Sequence, residues 1–140
     1  MVKDTGKIIE ELGLCENFRT FYSENKEYMV SDSLSDLLAQ ILCESNLKKS
    51  QVIRDSELSE VYAYQIFSGV RVPERKKLLS LCIGMRLNLQ QVQTLLRSAG
   101  YPQLYVKLPF DSIVIYGVCN NLTVPQINEL LYDYGFETLG

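Results

Sequence analysis

At 140 residues, with 46% hydrophobic and 22% charged side chains and a formal charge of −3, the chain has the balance of a globular domain with room for a sizeable core, not of a disordered tail. It contains no histidine, the commonest general base and transition-metal ligand, and it has no Gly-rich phosphate loop or nucleophile elbow, so neither an enzyme nor a cofactor is expected. The charge is unevenly divided: residues 34 to 108 hold ten Lys or Arg against six Asp or Glu, residues 1 to 33 four against seven, and residues 109 to 140 none against four. A basic centre lies between two acidic flanks, and the balance of the whole chain hides it.

No apolar run approaches the roughly 20 residues needed to span a bilayer, and the first residues carry charges where a signal peptide would be apolar. No membrane contact and a cytoplasmic location are therefore expected. Cys15, Cys43, Cys82 and Cys119 are far apart, with no CxxC spacing, and read as four buried, reduced thiols.

Strand signals are almost absent, and the expected class is all-α. In residues 1 to 33, Ile8, Ile9, Leu12, Phe18, Phe21, Tyr22, Tyr28 and Met29 suggest one or two short amphipathic helices. Their apolar sides serve either as a lid on the core or as a homodimer contact. Leu34, Leu37, Leu38, Ile41 and Leu42 mark one face of a helix over 34–44, capped by Ser33 or Ser35. A short helix over 48–56 turns Val52 and Ile53 inward. After a turn at Glu57 and Leu58, Ser59 caps a helix over 60–68 that Gly69 ends.

Pro73 marks the start of the next helix, whose buried face is Leu78, Leu79, Leu81 and Ile83. Asn88 starts another, which stops at Gly100, and residues 104 to 109 read as an extended linker. The segments LNLQQVQTLLRSAGYPQL (87–104) and LTVPQINELLYDYGFETL (122–139) share the pattern L-x-x-x-Q-x-x-x-L-L-x-x-x-G-aromatic-x-x-L at an offset of 35 residues. Each copy is a helix, a short turn and a second helix. The expected parts are an N-terminal extension (1–33), a central domain (34–104) and a C-terminal helical hairpin packed on it (105–140).

Residues 47 to 71, LKKSQVIRDSELSEVYAYQIFSGVR, resemble the helix-turn-helix of the lambda-repressor-like (Xre) family. The resemblance rests on Leu47 before the first helix of the motif, Val52 within it, Leu58 in the turn, Ser59 as cap, Ile66 in the core and Gly69 at the end. The longer string YAYQIFSGVRVPERKKLL looks like a subgroup of bacterial regulators with a C-terminal helical repeat. Three positions depart from the family pattern: Glu57 replaces the turn glycine, Ile53 a small residue, and Phe67 an acidic one.

The resemblance implies a lambda-repressor-like five-helix domain and a transcriptional regulator that reads double-stranded DNA with a recognition helix at about 59–68. Ala63 and Ile66 then face the core, leaving Glu60, Val61, Tyr64 and Gln65 for the major groove. Gln65 is suited to adenine, Val61 or Tyr64 to a thymine methyl, and Glu60 to a cytosine amino group. Lys48, Lys49 and Ser59 suit phosphates at helix starts, and Arg71, Arg75, Lys76 and Lys77 continue the positive strip. The alternative is a helical adaptor that keeps this fold and binds a protein partner through the paired repeats or the aromatics around Tyr64. Tyr62, Tyr64 and Phe67 are also candidates for plain core aromatics.

Overall fold

The structure is a computed structural model that describes residues 5–25 and 33–140. Among these residues there are nine α-helices and no strand. Two compact units divide between residues 31 and 32. The first contains α1 (Thr5–Leu14) and α2 (Phe18–Asn25), where Phe21 is buried and Phe18 packs beside it at 5.9 Å between ring centroids. Ile9, Leu12, Phe18 and Tyr22 are exposed, and Tyr28 and Met29 lie outside the described residues.

The second unit contains α3 (Leu34–Glu44), α4 (Lys49–Ser56), α5 (Glu60–Phe67), α6 (Arg75–Gly84), α7 (Leu89–Ser98), α8 (Pro109–Cys119) and α9 (Val124–Asp133). The caps set most of these boundaries. Ser33 accepts from the Asp36 amide, Ser59 from Tyr62, Asn88 from Gln91 and Thr123 from Gln126. At α7 and α9 the glutamine reaches back to the cap amide, so two otherwise unpaired donors are satisfied reciprocally. Helix α6 starts two residues later than Pro73 suggests: Glu74 is its cap residue, and the Pro73 carbonyl accepts from the Tyr101 hydroxyl at 2.6 Å.

Helix α6 is the axis of this unit. Every residue from Leu78 to Met85 is buried, as in a helix surrounded on all sides, and each large side chain there contributes about 1.5–3 kcal/mol on leaving water. Cys82 lies in this run, and burial pushes its thiol up to about 12. The expectation of four buried thiols holds only for Cys82: all four are free, but Cys43 and Cys119 are exposed and Cys15 is half-buried. The reason is local, since neither exposed cysteine falls on the inward stripe of its helix.

The 35-residue repeat is a structural one. A glycine two residues past the last residue closes each of α7 and α9, Gly100 and Gly135, with φ of 83° and 81°, and the next amide in each case reaches back into the helix, Tyr101 to the Leu96 carbonyl and Phe136 to the Leu131 carbonyl. Gln93 then holds the main chain of Leu104, as Asn128, the residue at the same register, holds the amide of Leu139. A related turn occurs a third time. Asn46, Arg86 and Asn121 all have positive φ, each is followed by a leucine, and Gln51, Gln91 and Gln126 stand five positions on. The pattern Leu-x-x-x-Gln-Val/Ile marks all three in the sequence.

The segment expected as an extended linker is instead a fastened turn. The Leu108 amide donates to the Tyr105 carbonyl, Leu104 is buried, and the Tyr105 amide donates to the Asp111 carboxylate at 2.9 Å.

Candidate nucleic-acid interface

Helices α4 and α5 meet through a three-residue turn, Glu57, Leu58 and Ser59. Glu57 holds the left-handed conformation there, with φ 62° and ψ 18°, the region that favours glycine. Ser56 is buried and its hydroxyl donates to the Ile53 carbonyl, which fixes the end of α4 beneath the turn. Helix α5 then anchors itself with Ala63, Ile66 and Phe67, all buried.

The outer face of α5 is open. Val61 is 70% exposed and Tyr64 48%, and Glu60 stands free in the first turn, where the helix dipole favours its charge. These residues, with Lys49, Gln65 and Ser68, line a shallow concavity of about 520 Å³. Three cations reach this helix. The Lys49 ammonium lies 5.2 Å from the centre of the Phe67 ring, and Arg71 and Lys77 lie 4.9 and 5.0 Å from that of Tyr62. Such contacts, each worth about 0.5–1 kcal/mol at exposed sites, hold the charges beside α5. Lys48 is exposed at the start of α4.

Of the aromatics proposed for the core, Phe67 is inside, Tyr62 is half-buried and Tyr64 is at the surface. Tyr62 has a role that the sequence did not show. Its ring carries two cations and its hydroxyl accepts from the Glu74 amide, so it couples α5 to the start of α6.

Gln65 is not free in the way the adenine pairing requires. Its Oε1 accepts from Arg71 Nε at 2.8 Å, which leaves the Nε2 hydrogens as its uncommitted polar groups. Ser59 spends its oxygen on the helix cap and keeps its hydroxyl hydrogen as a donor.

Arg75 and Lys76, expected in the positive strip, are engaged by carboxylates of the second repeat copy. Arg75 forms a two-point ion pair with the buried Asp111 carboxylate, both distances 3.2 Å, and also donates to the carbonyls of Pro102 and Gln103. Lys76 pairs with Glu137 at 2.7 Å and lies over the Phe110 ring, and it draws the exposed Glu137 carboxyl below its ordinary range by a hydrogen bond and by its charge. Consecutive helical residues point about 100° apart, so the run Arg75-Lys76-Lys77 splits. The first two hold the second repeat copy, and only Lys77 turns toward α5.

Among the described residues no cluster of His, Cys, Asp or Glu is arranged to hold a metal ion, and no helix is long and apolar enough to cross a membrane. Compared with protein-family models, with curated proteins and with solved structures, the chain gives no match.

Proposed function

We propose that the chain is a DNA-binding regulator of lambda-repressor-like architecture, with α4 and α5 as its helix-turn-helix and α5 as the helix that enters the major groove. The observation that supports this most is an exposed outer face on a short capped helix, with Lys48, Lys49, Arg71 and Lys77 arranged at its ends and flank. Lys48, Lys49, Arg71 and Lys77 meet phosphates. Val61 and Tyr64 offer apolar contact to thymine methyls, and Gln65 donates to a base acceptor.

Four phosphate contacts give a salt slope of about −3 to −4, so affinity for duplex DNA falls about a hundredfold between about 50 mM and 200 mM salt. Fluorescence anisotropy with the full chain measures this. The double variant Lys49→Ala/Arg71→Ala is expected to reduce the slope by about 2, whereas Tyr64→Ala weakens preference among sequences and leaves the slope unchanged. No binding at low salt, or a slope indifferent to the double variant, would refute the proposal.

Glu57 gives a second test from the same turn. Glu57→Gly relieves a left-handed conformation and is expected to stabilise the chain by about 0.5–1 kcal/mol, seen in thermal melts. It also removes a carboxylate next to the cap of α5, so DNA affinity rises with stability.

A further inference from the structure

The two repeat copies bury the same register positions unequally. In the copy formed by α6 and α7, Leu78, Leu81 and Leu95 are fully buried. Tyr62 of α5 lies against that copy, its ring under Lys77 and its hydroxyl bonded to the Glu74 amide. Thirty-five residues on, the matching Ile113, Tyr116 and Leu130 line an open groove of about 480 Å³ between α8 and α9. Tyr134 and Phe136 complete the wall, and Tyr116 and Tyr134 are 56% and 72% exposed.

The rim of the groove narrows the choice of occupant. Glu129 and Asp133 are exposed one turn apart on α9 and have no cationic partner among the described residues, residues 109 to 140 contain no Lys or Arg, and Glu137, which follows, is already paired with Lys76. A second copy docked groove to groove would bring acidic rims together. Residues 5–25 carry Lys7 and Arg19 against Glu10, Glu11, Glu16 and Glu24, so α1 and α2 do not complement the rim either. We infer that the groove between α8 and α9 docks an amphipathic helix of a protein partner, with large apolar or aromatic residues on the inner face and Lys or Arg along its edges. This surface is separate from the α5 face, and the inference holds or fails independently of DNA binding.

The test is an NMR titration of the full chain with a synthetic leucine-lysine amphipathic peptide about four turns long, against the same peptide with glutamate for lysine. The lysine peptide is expected to shift the Ile113 and Leu130 methyl signals, and the glutamate peptide to bind at least about tenfold more weakly. Tyr116→Ser combined with Tyr134→Ser is expected to weaken the lysine peptide about tenfold. Both side chains are largely at the surface, so an unchanged melting temperature verifies that the variant folds. Equal binding of the two peptides, shifts confined to α5, no loss in the double variant, or no peptide binding would overturn the inference. Groove signals that move with protein concentration alone would also overturn it, by making a second copy the occupant.

Discussion

Arg75→Ala is expected to lower stability by about 2–3 kcal/mol, a fall of roughly 10 °C in melting temperature, without a specific effect on the salt slope of DNA binding. Removing the guanidinium leaves the buried Asp111 carboxylate with only the Tyr105 amide as partner, and frees the carbonyls of Pro102 and Gln103. Breaking a fully buried pair costs about 3–5 kcal/mol; the Arg75 side chain is 23% exposed, so solvent screening brings the figure down. Arg75→Lys keeps the charge but loses the planar fork, and is expected to recover less than half of the loss. A double-mutant cycle with Asp111→Asn, followed by thermal melts, measures the coupling. If Arg75→Ala melts like the parent and loses DNA affinity, Arg75 is a phosphate contact after all and the clasp between the repeat copies is idle.

Gly84→Ala is expected to cost about 2 kcal/mol and Gly84→Val about 3 or more, although alanine is the better helix former by about 1 kcal/mol. A Cβ at position 84 would come within 2.7 Å of the Ser56 amide nitrogen and 2.9 Å of its Cα. Those are backbone atoms, so α4 and α6 must separate. Ser56 ends α4 immediately before the turn that sets the angle of α5, and the displacement is therefore transmitted to the proposed reading face. Urea unfolding gives the stability, and anisotropy gives the accompanying loss of DNA affinity. An alanine variant as stable as the parent would mean that the close approach of the two helices is not required.

These two residues also show where the sequence was legible. The caps at Ser33, Ser59, Asn88 and Gly100 were readable because a helix end is decided by groups within about four residues of each other. The repeat was readable because its two copies carry the same leucines, glutamine and glycine. The third related turn, at Asn46, was equally local and was available in the recurrence of Leu47, Gln51 and Val52. The inward placement of Ala63 and Ile66 followed from helical spacing.

What the sequence could not show was the partner of each charge. Arg75 bonds to residues 27 to 36 positions away, Lys76 to one 61 away, and Arg71 folds back on Gln65 only because Val70 and Arg71 reverse the chain after α5. A run of three cations looks uniform as text, while on a helix it points in three directions.

The chain by itself determined an all-helical fold, most of its helix boundaries, its internal repeat and the helix with an open face, since each depends on periodicity or on neighbours a turn away. Tertiary structure decided which cations stand beside that helix, which bind the repeat copies together, and why the second copy keeps an uncovered groove. Those outcomes depend on side chains brought together by packing, and no local pattern encodes the direction in which a long cationic side chain finds its carboxylate.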